Sequence, residues 1–268
     1  MKKYITTVSH ARTVWLEESK RRGLRPATIK SYRNQSEYVV KAFGNKRMAF
    51  VSPEKAKEWL FGLDVSPESK RDIKRVTDQI WRHYGAVPLF GKKVRIKSTV
   101  RIDFYTVEEA GELLRLAEPE LRGYIALGLF CGIRPTELLR LNDLEAVSNP
   151  LSELGIRIDA SIAKNLISRF VDPVEDTWKG FARAYPCFGI RNIGRRLRRL
   201  GRISPFPLIP NGLRHSFATY YYALHGASET ARVLGHRSPD VLFQYYAGVT
   251  DREQAKRYFG IKPSGGVR

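Results

Sequence analysis

The chain has 268 residues, 47 Lys plus Arg against 27 Asp plus Glu, and a formal net charge of +20. That length can bury at least one full core and accommodates two domains. So large a positive excess calls for a polyanionic partner, with plain solubility or a membrane surface as the other readings of the same charge. Two cysteines, Cys131 and Cys187, exclude a disulfide framework, lack metal-ligand spacing and read as buried thiols in a reducing compartment. Residues 1–10 contain no apolar signal-peptide region. The longest apolar run, Tyr124 to Ile133, falls short of the about 20 residues that span a bilayer. The expectation is a cytoplasmic protein with no membrane partner.

The first ninety residues read as helices. One runs from about Val8 to Arg22 and stops at Gly23, and a second runs from Ala27 to Phe43 and stops at Gly44. Ser52-Pro53-Glu54 and Ser66-Pro67-Glu68 then repeat one start signal: an N-cap hydroxyl, a proline in the first turn and an acid at the positive helix end. In the last helix Ile73, Val76, Ile80 and Tyr84 form an apolar stripe. Lys70, Lys74 and Arg75 lie off it and are candidate phosphate contacts, an ordinary solvated face being the alternative. From Gly91 to Arg101 the chain is basic without helical periodicity. Lys92, Lys93 and Arg95 in this stretch can track a phosphate backbone, because a self-repelling linker stays extended.

Thr106-Val107-Glu108-Glu109 is a capping box that opens a helix running to Pro119, and a further helix carries Tyr124 to Cys131. Gly132 breaks that helix and Pro135 suits the first turn of the next, which leaves Arg134 at the junction beside free helix N–H groups, a place suited to anions. A surface ion pair with Glu137 is the alternative for Arg134 in isolation. Ile156 to Asp159 and Ser168 to Val171 alternate like two short strands, with Ala163-Lys164-Asn165 near the turn between them. Residues 191–202 place Ile193, Leu197 and Leu200 on one helix side and Arg191, Arg195, Arg198 and Arg199 on the other, where guanidiniums can meet phosphates. Asn211 to Leu224 reads as a helix bearing Arg214 and ended by Gly226, with Phe217, Tyr220, Tyr221 and Leu224 as core. A helix from Ser228 ends at Leu234-Gly235, His236 follows at a turn, and Ser238-Pro239 opens a helix to Tyr246. Asp251 to Ile261 forms a last short helix with Ala255, Tyr258 and Phe259 as its apolar side.

Three strings occur in order: Pro210-Asn211-Gly212-Leu213-Arg214-His215-Ser216-Phe217-Ala218-Thr219, then Leu234-Gly235-His236, then Gln244-Tyr245-Tyr246-Ala247. With Gly132-Ile133-Arg134-Pro135-Thr136-Glu137 upstream, the chain resembles the tyrosine recombinase (phage integrase) family, loosely throughout and closely from Thr106 to Ile261. The resemblance implies a mainly α (α+β) protein. Residues 1–90 would form a helical core-binding domain, 91–102 a basic linker, and 103–268 a mostly helical catalytic domain with a small β-hairpin and a C-terminal segment at 250–268 that is exchanged between protomers.

The same resemblance implies a site-specific recombinase that cleaves and rejoins DNA strands through a 3′-phosphotyrosine intermediate. Arg134 and Arg214 would bind the scissile phosphate, Glu137 orient the arginines, and Lys164 protonate the leaving 5′-oxygen, with Lys179 as its competitor. His236 would assist proton movement or bind the phosphate. Tyr246 would be the nucleophile, ten residues beyond His236, with Tyr245 the competitor at nine. Asn211 stands where many members have His or Lys; it can donate a hydrogen bond and cannot shuttle a proton. His215 is expected to point elsewhere and support the site. The implied partner is double-stranded DNA, bound by a tetramer on paired sites that is monomeric or dimeric when free, and no metal or other cofactor is implied. Two rivals remain: a relaxing enzyme like a type IB topoisomerase, and a DNA-binding accessory protein that has lost catalysis, which Asn211 favours.

If the basic linker lies along DNA, neutralising Lys92, Lys93 and Lys97 flattens the plot of log affinity against log salt by about 0.9 per lost contact. Filter binding across salt concentrations measures this, and an unchanged slope removes the linker from the interface.

Overall fold

Helix start signals frame the first part of the chain. In the computed structural model, which describes residues 6–92, 94–96, 102–143, 150–163, 167–236 and 238–263 (side chains of 241 and 244 excepted), α1 spans Val8–Arg21 and α2 spans Pro26–Phe43. A 3-10 turn at Met48–Phe50 leads to α3 (Pro53–Gly62) and α4 (Pro67–His83). Ser52 and Ser66 accept hydrogen bonds from the backbone N–H groups of Lys55 and Ser69, so both expected caps form. Ile73, Val76 and Ile80 are buried with Trp15, Val39, Phe43 and Leu60, whereas Tyr84 caps α4 and only packs against this core. Leu89 and Phe90 are buried in the same core, and Val94 and Ile96 pack on it, so the basic stretch begins in contact with these helices. Lys93, Lys164 and the linker residues 97–101 lie outside the described residues.

Residues 1–99 and 100–268 form two compact units, each with its own apolar core. The second begins with α5 (Val107–Leu116), whose Thr106–Glu109 capping box is present. It continues through α6 (Pro119–Cys131) and α7 (Pro135–Asn142) to a sheet of β1 (Leu151–Ser152), β2 (Gly155–Ile158) and β3 (Arg169–Val171). Helices α8 (Thr177–Ala184), α9 (Ile193–Ile203), α10 (Gly212–Leu234), α11 (Asp240–Tyr246) and α12 (Arg252–Phe259) complete it. The protein is therefore mainly α with one small antiparallel sheet.

Helix α6 is apolar nearly all round and is buried from Gly123 to Cys131, as such a helix must be. Both α8 and α10 pack on it. Gly226 interrupts α10 with φ 75° and ψ −178°, so the two helices expected on either side of it are present end to end. Phe217, Tyr220 and Tyr221 are core residues. Helix α12 docks on its own chain: Tyr258 stacks on Tyr220 at 4.1 Å and its hydroxyl donates to the Leu129 carbonyl at 2.8 Å.

The sheet has order β1-β2-β3, with Ile156 opposite Val171 and Ile158 opposite Arg169. Strand β1 was not expected from the sequence, because two residues are too few to display an alternation. Both cysteines are free and buried, and among the described residues no helix is long and apolar enough to cross a membrane.

Gly132 ends α6 at φ 62°, and a Cβ there would stand 2.4 Å from Phe217 Cδ1 and 2.7 Å from Leu234 Cδ2. Gly132→Ala therefore combines left-handed backbone strain with overpacking and lowers the unfolding free energy by at least about 2 kcal/mol in chemical denaturation. A loss too small to measure contradicts that packing.

Candidate active site

Two helices stop on a left-handed glycine, α6 at Gly132 and α10 at Gly235. Each stop leaves carbonyls without an intrahelical partner at the negative end of a helix. The Arg214 guanidinium lies between them. Nη1 donates to the Gly132 carbonyl at 2.6 Å, and Nη2 donates to the Leu234 carbonyl at 2.9 Å and to His236 Nε2 at 3.0 Å. At 7% exposure a guanidinium needs such acceptors, and the fold supplies them. Because arginine only donates, His236 Nε2 must be the acceptor, which assigns the ring hydrogen of the neutral imidazole to Nδ1. That Nδ1 is buried and has no hydrogen-bond partner among the described residues.

Arg134 is the N-cap of α7, followed by Pro135. Glu137, fully buried in the first turn, accepts from the Arg134 backbone N–H at 3.3 Å and from Arg134 Nη1 at 3.1 Å. It also receives Arg169, with Nη1 at 3.1 Å and Nη2 at 2.6 Å. Arg169 was missed in the sequence. The signal was its place in β3, where alternation puts residue 169 on the same inward side as buried Val171, and an arginine facing inward requires an acid. Arg169 also runs against Gly235, its Cδ 2.7 Å from where a Cβ would stand. A hairpin residue and both helix ends thus meet at one place.

Three guanidiniums around one carboxylate leave the group strongly cationic. Burial, then Arg134 and Arg169, press Arg214 down to about 9, still charged at neutral pH. Burial, then Arg214, Arg134 and Arg169, press His236 down to about 4, so it is neutral. An anion placed among these groups relieves both penalties, and fixed donors in a partly dry site stabilise developing negative charge better than water does.

Tyr246 ends α11 at 6% exposure, and its hydroxyl lies 2.8 Å from His215 Nδ1. Burial pushes the phenol up to about 12, while the Arg214 charge pulls it the other way. Tyr245 is half-buried, and among the described residues no hydrogen bond ties it to the cluster. The structure thus brings Arg134, Glu137, Arg214, His236 and Tyr246 together. His215 corrects the sequence expectation: it faces the Tyr246 hydroxyl, because α11 packs back on α10. Asn211 is the exposed N-cap of α10 with φ 58°, and among the described residues no hydrogen bond links its side chain to the cluster. Asparagine tolerates that left-handed backbone better than most residues, which accounts for its presence there. Lys164 lies outside the described residues.

The basic residues divide. On α9, Arg195, Arg198, Arg199 and Arg202 border a concavity of about 730 Å³, and Arg191 is exposed nearby in sequence. Arg199 pairs with Glu118 at 2.9 Å, and Arg196 pairs with the same acid. In the first unit Lys70 donates to the Phe61 carbonyl, and Arg75 pairs with Asp72 on the surface. Lys74 is drawn inward to Asp78, a buried acid that also accepts the Phe90 N–H. Lys92 and Arg95 are exposed.

Solved structures share this fold. A lambda integrase dimer bound to a COC′ core site aligns with TM-score 0.71 and 15% identity over 91% of this chain and 98% of that one. A lambda integrase tetramer bound to a Holliday junction aligns at 0.70 and 13%, covering 87% and 78%. The Tn1549 transposon integrase in complex with circular intermediate DNA aligns at 0.64 and 16%, covering 94% and 99%. No protein-family model and no curated protein sequence matches the chain, so the likeness is one of fold.

His236 is held neutral with its folded-state value below the ordinary 6.5, so its contribution to stability is present above 6.5 and is lost as pH falls toward about 4. The thermal midpoint of the wild type therefore drops across that interval, and His236→Asn drops less. Parallel curves for the two proteins contradict the assignment.

Proposed function

We propose that the protein is a tyrosine-type site-specific DNA recombinase. The observation that carries this reading is the meeting of one buried phenol, Tyr246, with the field of Arg214, beside His236, Arg134 and Arg169, from elements far apart in sequence. Such an arrangement suits in-line attack on a phosphodiester.

In this mechanism Arg134 and Arg214 bind the non-bridging oxygens of the scissile phosphate and stabilise the charge that grows on them in the transition state. His236, neutral and accepting from Arg214 through Nε2, holds that guanidinium in position for the phosphate. Tyr246 attacks phosphorus, the bond to the 5′-oxygen breaks, and a 3′-phosphotyrosine forms beside a free 5′-hydroxyl. Lys164 is the candidate donor of the proton that the 5′-oxygen takes up. The covalent link retains the free energy of the diester, so a 5′-hydroxyl from another strand can reverse the step without ATP.

Residues 1–90 serve in this reading as a core-binding domain and 103–268 as the catalytic domain, joined by the basic segment 91–102. The exposed arginines of α9 and the lysines and arginines of the first unit hold the duplex by its phosphates. The fold neighbours are integrases captured on DNA as a dimer and, on a Holliday junction, as a tetramer, which supports double-stranded DNA as partner and a tetramer on paired sites as the working assembly. This reading places the protein in the cytoplasm.

The test uses duplexes tiled across the DNA that flanks the gene, each nicked so that the cleaved fragment diffuses away. Wild type and Tyr245→Phe become covalently attached to a DNA fragment, seen as a shifted band on a denaturing gel. Tyr246→Phe forms none, and Arg214→Gln forms it about 10²–10³-fold more slowly. An adduct that survives Tyr246→Phe overturns the assignment of the nucleophile.

A further inference from the structure

One contact at the reacting atom has no role in the mechanism above: His215 Nδ1 lies 2.8 Å from the Tyr246 hydroxyl. We infer that His215 is the general base that takes the phenolic proton as Tyr246 attacks, an inference that rests on the recombinase reading.

Burial holds the phenol near 12, so at neutral pH only about one molecule in 10⁵ carries a phenolate. The proton must therefore leave during attack, to a base already in contact with the oxygen. Arg214 cannot accept a proton, and the His236 Nε2 lone pair is occupied by Arg214 Nη2. Among the described residues the hydroxyl's hydrogen-bond partner is His215 Nδ1. The groups acting on His215 are Tyr246 from α11, Arg214 on its own helix, and Asp103 from the segment before α5. Burial first and the Arg214 charge second lower His215 below its ordinary value, with Asp103 opposing, so the ring is neutral at pH 7, and the tautomer with its hydrogen on Nε2 presents the Nδ1 lone pair to the hydroxyl.

Asn211 lies one turn earlier on the same side of α10, and its carbonyl accepts the His215 backbone N–H at 2.9 Å. Its side chain has no group that can take a proton.

The step balances as follows. The phenolic proton passes to His215 Nδ1, making an imidazolium. The phenol oxygen forms its bond to phosphorus, and the phosphorus bond to the 5′-oxygen breaks, with its electron pair going to that oxygen. The anionic phosphate beside the new imidazolium offsets its repulsion from Arg214. In the reverse step the departing phenolate recovers its proton from His215.

The test remakes the adduct-forming duplex with sulfur in place of the bridging 5′-oxygen. A thiolate leaves without a proton, so the single-turnover rate reports attack alone. The wild-type rate is level above about pH 7 and falls tenfold per pH unit in acid, as expected for a base that must be neutral. His215→Asn keeps an acceptor close to the Nδ1 position but cannot take the proton. It is slower by about 10²–10⁴-fold at pH 7, and its rate climbs tenfold per pH unit up to about pH 9 while its DNA affinity is unchanged. His215→Ala regains at least about tenfold of its lost rate when imidazole is added. A His215→Asn enzyme that keeps the wild-type rate or its pH plateau overturns the inference, as does an Ala variant deaf to imidazole. In either case the recombinase reading stands. A wild type that forms no adduct on any duplex overturns the recombinase reading and this inference with it.

Discussion

A guanidinium between two helix C-termini organises the second half of this chain. Arg214 meets the Gly132 carbonyl at the end of α6 and the Leu234 carbonyl at the end of α10. Both helices stop on left-handed glycines, so their last carbonyls turn away from the helix and toward it. The same two stops launch the residues that follow: Arg134 two positions after Gly132, and His236 directly after Gly235. One buried cation thus satisfies acceptors that would otherwise be orphaned and, in doing so, fixes where its neighbours stand.

Charge is arranged with the same economy. Glu137 holds Arg134 and Arg169 through both of its oxygens and sits fully buried, where an acid without cations would be very unfavourable. One carboxylate cannot neutralise three guanidiniums, and the surplus depresses Arg214 and His236 together. The cluster is stable enough to fold and still short of negative charge. That combination favours an anion placed among these groups, and the more so as further negative charge develops on it.

Two histidines kept neutral by similar causes do different work because of what faces each lone pair. His236 accepts from Arg214 through Nε2, which fixes its tautomer and leaves Nδ1 as donor. His215 offers Nδ1 to Tyr246. Burial raises the Tyr246 phenol and the Arg214 charge pulls it the other way, and in the proposed reaction the adjoining His215 would take the proton that burial makes hard to lose.

Much of the fold could be read from local signals. Ser52, Ser66 and Thr106 capped the helices expected of them, Gly226 broke α10, and the apolar stripe of α4 was buried. The pair of residues at β1 was too short to register. Arg134, Glu137, Arg214, His236 and Tyr246 were singled out by the family resemblance that their motifs carry, and the structure gathers them in one place. Arg169 and the direction of His215 were not legible, and the choice of Tyr246 over Tyr245 rests on spacing, to which the structure adds that Tyr246 is the more buried ring. Arg169 meets Glu137 across 32 residues, His215 meets Tyr246 across 31, and Arg214 meets Gly132 across 82. By itself, then, the sequence determined the helices, their caps and breaks and the cationic balance, since each depends on composition or on neighbours within a turn or two, and it named most of the candidate site groups. The tertiary structure alone decided which side chains touch, which acid serves which arginine and which histidine meets the phenol, because those contacts are set by how α10, α11 and β3 pack and by nothing that local spacing records.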